Sequence, residues 1–271
     1  MLGLGLSAQY PQQVGGLTPH NTTTNTQSFD FQGSADFLSL SDTASGDQWE
    51  FTDGSATGTD NEPHSYAFWL HRDGSGNYGI ISKYGVGTDS YRHFFHGSGN
   101  NLLLDVYSTG SGYKRRTFTG MLSGDWQHHV WAYSGNASGW SIWINGVSVT
   151  AGSTGGSGGA MTNTDPSIEI GRASGLSDLN GQMCQFMAWK GVQLDEAAAT
   201  YLYADGAAHR DPTQAGAEGA GLYKQDAADG LLCWLPMDDT DGADDHSGGT
   251  SYDFTKNGNC DVTTGGGNVP F

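Results

Sequence analysis

The glutamates and aspartates are the side chains of this 271-residue chain that could carry out acid–base chemistry. A retaining glycoside hydrolase needs two carboxyl groups about 5 to 5.5 Å apart. On one strand this need is commonly met by the pattern Glu-x-Asp-x-x-Glu, because alternate residues share a face. No glutamate of the chain begins that pattern, and Glu50 and Asp53, at i and i+3, point to opposite faces. We therefore expect no catalytic residue and no enzyme. A glycan hydrolase with an unrecognised site is the enzymatic alternative.

Two pairs of histidines raise the question of a bound metal ion. His93 and His96 are separated by three positions, and His128 and His129 are adjacent. In an extended strand both spacings direct the two side chains to opposite faces. A zinc site needs three or four ligands that converge on one point. We therefore expect these histidines to pack and to form hydrogen bonds inside the protein.

An acidic run near the C-terminus contains the residues best suited to calcium, namely Asp238, Asp239 and Asp241. Calcium takes six to eight oxygen ligands from carboxylates and loop carbonyls. The run is not an EF-hand, because the terminal bidentate glutamate is absent. A solvated acidic loop is the alternative that we favour, since most charge runs are solvated. Calcium is the one cofactor that the sequence suggests, and no other is expected.

Aromatic residues could supply a sugar-binding surface, in which exposed rings combine with Asn and Asp at a loop rim. The chain has 8 Trp and 12 Tyr, but most of these occupy strand positions that are typical of a core. Tyr84, Tyr91 and Tyr113 lie near expected loops and are the exceptions. The sequence does not separate a lectin from a sandwich that has lost its ligand.

The charge balance excludes some partners. The net charge is -18, with 11 Lys and Arg residues, and the one cluster of cations is residues 114–116. Nucleic-acid binding needs clustered cations, and an anionic membrane surface repels an acidic protein, so neither partner is expected. Three explanations of the net negative charge remain. It could keep a crowded protein surface soluble, it could be an adaptation to a salty medium, or it could bind cations. The N-terminus lacks the features of a signal peptide, so we expect synthesis in a cytoplasm without export by the usual route.

The element pattern is that of a sandwich of short strands. Asn145-Gly146 predicts a hairpin turn, since a type I′ turn needs positive φ at both central residues. The turn places Ile144 opposite Val147 and sends Trp143 to the other face. Asp195 is placed to cap a short helix that Gly206 ends. The Gly-rich residues 151–163 are expected to form an exposed, mobile loop.

With these elements, residues 124–147 resemble the middle of a laminin-G-like, concanavalin-A-like jelly roll. The resemblance rests on a tryptophan, paired histidines before a valine, a tyrosine, and a strand that ends in Asn-Gly-Val. Further motifs follow in the order of the family, at residues 28–33, 36–40, 66–70, 79–84, 168–172 and 179–183. The resemblance implies an all-β, two-sheet jelly-roll sandwich with one short C-terminal helix and terminal extensions. It covers residues 28–206, between an N-terminal arm, 1–27, and a C-terminal extension, 207–271, that packs on the sandwich or a neighbour.

The family commonly carries an acidic calcium ligand on its closing strand, but Cys184 and Gln185 occupy that place. This departure weakens the family's usual calcium site. The interior is expected to contain seven apolar residues. These are Phe68, Trp126, Val130, Ile142, Ile144, Ile168 and Phe186.

The two ends of the chain are similar to those of laminin-G-like proteins of bacteriophages. The resemblance implies a non-enzymatic virion protein, either a capsid decoration (cement) protein or a tail or fibre component. It would be made in the host cytoplasm and would assemble as a homo-oligomer with a major capsid or tail protein. A carbohydrate-binding module of a tail or fibre, with surface glycans as partners, is the alternative.

The N-terminal arm carries four apolar residues that would serve assembly in this interpretation. They are Leu2, Leu4, Leu6 and Tyr10. The arm has no periodicity long enough to form a stable element alone. It is either a floppy tail or a segment that gains order by lying along a neighbouring subunit.

Overall fold

The computed structural model describes 15 ranges or single residues of the chain. These are residues 27–33, 35–41, 48–51, 61–85, 88–97, 100–108, 112–121, 124–136, 139–156, 161, 165–203, 230–237, 243–245, 247 and 252–264, with side chains left out at 88, 89 and 261–264. Within them the protein is an all-β sandwich of two antiparallel sheets with one helix. The predicted fold class is confirmed. No helix in these ranges has the length and apolar character needed to span a bilayer.

The first sheet contains eight strands in the spatial order β10-β9-β8-β3-β13-β1-β16, and β14 also pairs with β13. Its strands are β1 (Gln27–Gln32), β3 (His64–Arg72), β8 (Gln127–Tyr133), β9 (Trp140–Ile144), β10 (Val147–Ser148), β13 (Asn180–Lys190), β14 (Leu231–Leu235) and β16 (Asp261–Thr264). The turn between β9 and β10 has φ values of 51° at Asn145 and 73° at Gly146, as the hairpin signal predicts.

The second sheet also has eight strands, in the order β11-β7-β6-β5-β4-β12-β2-β15. Its strands are β2 (Phe37–Leu40), β4 (Tyr78–Gly85), β5 (Thr88–His96), β6 (Asn101–Ser108), β7 (Gly112–Phe118), β11 (Ala151–Gly155), β12 (Ile168–Ile170) and β15 (Thr255–Asn257). The prediction of a loop at the start of residues 151–163 is wrong, because β11 pairs with β7 as an edge strand.

Strand β13 is the centre of the first sheet. One of its edges pairs with β3, and the other pairs first with β1 and then with β14. A register shift between Cys184 and Met187 contains Gln185, whose φ is 53°. Gln185 accepts a hydrogen bond from the indole of Trp234 at 3.0 Å. The place of the family's calcium ligand is therefore occupied by residues that join β13 to β14.

The space between the sheets holds the main core, and the predicted interior is largely confirmed. Phe68, Ile142, Ile168 and Phe186 are buried in this core, while Trp126 and Ile144 are partly buried against it. Val130 is also fully buried, but it belongs to a second cluster on the opposite face of the first sheet. Strand β8 is buried on both faces, so its sequence shows no alternation of apolar and polar residues.

The second cluster lies under the one described helix, α1 (Glu196–Tyr203). The Asp195 carboxylate accepts a hydrogen bond from the Ala198 amide at 2.9 Å, which confirms the predicted cap. Ala198, Ala199 and Leu202 are the buried residues of the helix. They pack with apolar side chains of five strands, namely Ala67, Val130, Ala132, Trp143, Met187, Trp189 and Leu231. Gly206, the expected helix end, lies outside the described residues.

A buried ion pair joins the segment 48–51 to the second sheet. Lys83 Nζ lies 2.7 Å from Glu50 Oε1, and both side chains are nearly inaccessible to solvent. Lys83 also donates a hydrogen bond to the Pro166 carbonyl at 3.0 Å. Glu50 therefore has a structural role. Its pairing with the Lys83 cation offsets the free-energy cost of burying a carboxylate at this position.

Candidate functional site

The outer face of strands β4 to β7 carries the candidate site. On β5 and β6 the residues Tyr91, Phe95 and Leu104 belong to the core between the sheets. Side chains alternate along a strand, so Arg92 and Asp105 point away from that core. The outward side chains of these strands are polar and aromatic, whereas the outer face of the first sheet is apolar.

Three charged residues lie side by side across this face. Arg92 on β5 stands directly opposite Asp105 on β6, and Asp105 stands opposite Arg115 on β7. Arg115 donates two hydrogen bonds to Asp105, from Nε to Oδ1 at 2.6 Å and from an Nη atom to Oδ2 at 2.7 Å. The nearest approach of Arg92 to Asp105 is longer, at 3.8 Å. We call Arg92, Asp105 and Arg115 the arginine row.

Three tyrosines lie beside the arginine row and form what we call the tyrosine row. The ring centroids of Tyr84 and Tyr107 are 5.2 Å apart, and those of Tyr107 and Tyr113 are 5.9 Å apart. Tyr107 is buried and donates a hydrogen bond to Asp105 at 3.3 Å. Tyr84 and Tyr113 are partly exposed. The two rows together are the Tyr–Arg face.

The guanidinium groups are held against aromatic rings. Arg92 lies 4.5 Å from the Tyr84 ring centroid and 4.9 Å from that of Phe94. Arg115 lies 4.9 Å from the centroid of Tyr113. A planar guanidinium stacked on a ring is attracted to the ring and loses part of its freedom. The face is therefore a preorganised surface rather than a set of independent side chains.

The surroundings of Arg115 and Tyr107 change the pKa values of both side chains. The hydrogen bonds between Arg115 and Asp105 raise the pKa of the guanidinium above its ordinary value. Burial, and then the negative charge of Asp105, raise the pKa of Tyr107, so its hydroxyl stays protonated. The face thus offers hydrogen-bond donors from arginine and tyrosine beside accessible aromatic rings.

The structure brings together two of the three tyrosines singled out from the sequence. Tyr84 and Tyr113 both belong to the tyrosine row, although 29 positions separate them in the chain. Tyr91 is a correction, because it is fully buried in the core between the sheets and is not near a ligand surface. It lies on the same strand as Arg92 but alternates to the inner face.

Four residues of the Tyr–Arg face were missed by reasoning from the sequence: Arg92, Asp105, Tyr107 and Arg115. Residues 114–116 were seen only as a cation cluster, but Lys114 and Arg116 pair with the inward Val106 and Leu104. Arg115 alone faces outward. The usable signal was the adjacent pair of strands β6 and β7, because the pairing of Ser108 with Gly112 places Asp105 opposite Arg115.

Three of the four histidines of the sequence analysis are structural residues, and the fourth, His96, is partly exposed. His93, His128 and His129 are buried among aromatic rings, and His129 stacks on Phe68 with centroids 5.4 Å apart. Burial lowers the pKa of His128 to about 3, and it also lowers that of His64, a further buried histidine, to about 3. No group of three metal-ligating side chains occurs in the part of the chain that the structure describes.

The residues proposed for calcium and assembly lie outside the described residues. These are Asp238, Asp239 and Asp241 of the acidic run, and Leu2, Leu4, Leu6 and Tyr10 of the arm. Two later aspartates of the run, Asp244 and Asp245, are described, and Asp245 stabilises the local fold. Its carboxylate accepts hydrogen bonds from the Trp234, Ser247 and Tyr252 amides at 2.9 to 3.1 Å.

Comparison with known proteins identifies the domain type. The model of a family described as the concanavalin A-like lectin/glucanases superfamily matches residues 43–199, more than half of the chain. A Bacteroides ovatus protein to which carbohydrate binding is ascribed aligns with 18% identity and a TM-score of 0.55. That alignment covers 88% of this chain and 59% of the other, so our chain spans less than two thirds of its length.

A second solved structure gives a weaker match. A heptameric SAP-like pentraxin from Limulus polyphemus aligns with 12% identity and a TM-score of 0.45, over 66% of this chain and 82% of its own. No curated protein matches the chain. At 18% identity the Bacteroides ovatus structure supports the fold alone, and the family model identifies the domain.

Proposed function

This chain belongs to the concanavalin A-like lectin/glucanase superfamily, and we propose that it binds carbohydrate, without catalysis, on the Tyr–Arg face. The observation that carries the proposal is the tyrosine row beside the arginine row. Two partly exposed rings, Tyr84 and Tyr113, flank a buried tyrosine that is hydrogen-bonded to a fixed carboxylate.

Sugars present two kinds of surface, and the face matches both. The C–H faces of a pyranose ring are apolar and pack on aromatic rings, which bury apolar area and fix orientation. The hydroxyl groups of a sugar accept hydrogen bonds from guanidinium and phenol donors. Ligand sites of this kind combine apolar area with a few convergent polar groups.

The arrangement of carboxylates supports binding rather than hydrolysis. Among the described side chains of β4 to β7, Asp105 is the one carboxylate on the outer face, and it accepts two hydrogen bonds from Arg115. Glycoside hydrolysis by the usual route needs two carboxyl groups across the scissile bond. We therefore propose that the protein is not an enzyme.

A glycan array tests the proposal directly. We expect the wild-type protein to bind a subset of glycans, and the double variant Tyr84→Ala/Tyr113→Ala to lose that binding. Tyr201→Ala is the matched control, because Tyr201 is a partly exposed tyrosine beside an open depression on helix α1. Absence of binding by a folded wild-type protein, or equal loss in the control, would refute the proposal.

A role in a virion is a second proposal, and it rests on the sequence resemblance at the two ends of the chain. Neither of the solved structures named above is described as a virion protein, and the arm lies outside the described residues. A capsid decoration, tail or fibre protein that displays the jelly roll is compatible with glycan binding by the Tyr–Arg face. Such a protein would form homo-oligomers on a capsid or tail protein after synthesis in the host cytoplasm.

Mass spectrometry of purified particles is the experiment for this second proposal. We expect the chain to be found in particles, and a variant without residues 1–27 to remain folded but to be missing from them. Normal incorporation of the truncated protein would show that Leu2, Leu4, Leu6 and Tyr10 have no role in assembly. Absence of the full-length chain from particles would refute the virion role and leave the carbohydrate proposal untouched.

A further inference from the structure

We propose that the glycan bound by the Tyr–Arg face is anionic, carrying carboxylate or sulfate groups, and that Arg92 binds the anion. This inference rests on the proposed carbohydrate function and adds the chemical class of the ligand. It comes from the different surroundings of the two arginines in the arginine row.

Arg115 already has its anion within the protein. Its Nε and one Nη atom form two parallel hydrogen bonds with the two oxygens of Asp105, at 2.6 and 2.7 Å. Such bidentate pairs are the strongest that arginine forms with a carboxylate. The charge of Asp105 is thus largely matched by Arg115.

Arg92 has no equivalent partner among the described residues. Its closest carboxylate oxygen, Asp105 Oδ2, lies at 3.8 Å, which is too long for a hydrogen bond. Its Nε is buried and has no hydrogen-bond partner among the residues that the structure describes. Arg92 therefore lacks the paired carboxylate oxygens that Arg115 has, and its positive charge is left for an anion that reaches the exposed part of the guanidinium group.

The surroundings of Arg92 hold its guanidinium in place for a ligand. The group lies within 4.5 to 5.7 Å of the ring centroids of Tyr84, Phe94 and Tyr107. Its side chain retains 16% of its exposure, so the group is partly accessible at the surface. A fixed planar fork of donors matches the paired oxygens of a carboxylate or a sulfate.

The net charge of the face also favours an anion. Two guanidinium groups and one carboxylate project from the described outer-face residues of β4 to β7, within a protein whose net charge is -18. Most of this acidic protein repels an anionic polysaccharide, so a local excess of positive charge directs it to one face. A neutral sugar could accept hydrogen bonds from Arg92, but it would not gain the charge–charge attraction that an anionic sugar gains.

The test compares oligosaccharides that differ only in charge. Isothermal titration calorimetry would use an oligogalacturonate against its methyl ester, and a sulfated oligosaccharide against its desulfated form. We expect the wild-type protein to bind at least one anionic form at least ten times more tightly than its neutral partner. The pair that shows this preference identifies the anion as carboxylate or sulfate. The preference should shrink as salt is raised, because screening weakens charge–charge attraction.

Two variants separate charge from packing. In Arg92→Met, which keeps the apolar stem, the ratio of anionic to neutral affinity should fall to about one. Arg92→Lys keeps the positive charge but loses the planar pair of N–H donors. Its ratio of anionic to neutral affinity should therefore lie between those of the wild-type protein and Arg92→Met. Circular dichroism and the melting temperature would check the fold of each variant.

Failure of the inference is distinguishable from failure of the proposed function. Equal affinity of the wild-type protein for charged and neutral partners, with binding still dependent on Tyr113, would overturn the inference alone. A preference that survives in Arg92→Met or Arg92→Lys at wild-type strength would overturn the role of Arg92. Binding to no glycan would overturn the proposed function and the inference together.

Discussion

The two outer faces of the sandwich are built by the same alternation of side chains but differ in what lies on them. The first sheet presents small and aromatic apolar residues such as Ala67 and Trp143, and helix α1 covers them. The second sheet presents the Tyr–Arg face. Small residues allow a helix to approach, whereas arginines fixed by aromatic rings and a carboxylate keep a sheet polar. The first face therefore serves stability, and the contrast supports our proposal that the second face serves binding.

The largest expected effect concerns the buried ion pair, which contrasts with the ion pair on the Tyr–Arg face. Lys83→Met leaves Glu50 buried without its cation, and removal of one partner of a buried pair costs about 3–5 kcal/mol. Chemical denaturation would measure the loss. The double variant Lys83→Met/Glu50→Leu should recover part of it. A loss below about 1 kcal/mol for Lys83→Met would contradict a buried, charged pair.

Trp189→Ala probes the covered face. Trp189 is fully buried between the first sheet and helix α1, and removal of a buried tryptophan costs about 3–5 kcal/mol. We expect a lower free energy of unfolding, measured by denaturation, with glycan binding retained in the folded fraction. If the folded Trp189→Ala protein lost glycan affinity as strongly as Tyr84→Ala/Tyr113→Ala, the assignment of different roles to the two faces would be wrong.

Acid should destabilise the sandwich through its buried histidines. Burial lowers the pKa of His64 and His128 to about 3, and it holds those of His93 and His129 well below their ordinary value. Below about pH 6.5 the unfolded chain takes up protons that these native side chains do not. Stability is therefore greatest above that pH and falls towards pH 3, by up to about 1.4 kcal/mol per pH unit for each histidine.

Denaturant titrations at several pH values would measure this loss. His93→Phe is the matched variant, because the His93 ring lies among Tyr66, Tyr91 and Trp140 and can be replaced by another aromatic ring. We expect a shallower dependence of stability on pH in this variant. A flat profile between pH 6.5 and 4 for the wild-type protein would show that the histidines are not held neutral.

Asp195→Ala should weaken the helix that covers the first sheet. The Asp195 carboxylate caps the Ala198 amide, and loss of an N-cap costs about 1 kcal/mol. Thermal unfolding would measure the change. Asp195→Ser, which keeps a capping oxygen, should stay close to wild type. An equal loss in both variants would assign the effect to something other than capping.

The smallest expected effect on stability belongs to the Tyr–Arg face. Tyr113 is partly exposed, so Tyr113→Ala should change the free energy of unfolding by at most about 1 kcal/mol. Glycan affinity should nevertheless fall at least tenfold, since aromatic residues at binding sites often dominate the energy. A destabilisation as large as that of Trp189→Ala would mean that Tyr113 has a structural role.

Local signals in the sequence predicted the fold well because they depend on few residues. The positive φ values of Asn145 and Gly146 and the cap at Asp195 need only their immediate neighbours. Strand β11 was missed because its Gly-rich composition is typical of a loop, and pairing with β7 decides its structure. The burial of Val130 was predicted, but the face of the sheet on which it lies was not, because β8 is buried on both faces.

The candidate site was harder to predict because it depends on register across four strands. Tyr84 and Tyr113 were singled out for their positions near loops, but nothing local indicates that both lie against Tyr107. The partnership of Asp105 with Arg115 follows from the hairpin of β6 and β7, whereas that with Arg92 also needs the pairing of β5. A search for motifs does not find such a site, since its residues share a face and not a segment.

The central claim is that carbohydrate binds the Tyr–Arg face, and nuclear magnetic resonance tests it most directly. An isotopically labelled protein would be titrated with a glycan that binds on the array, and the amide shifts would be mapped onto the sandwich. The account predicts that the largest shifts cluster on β4 to β7, around Tyr84, Arg92, Tyr107 and Tyr113. Shifts centred instead on helix α1, near Thr200 and Tyr201, would contradict it.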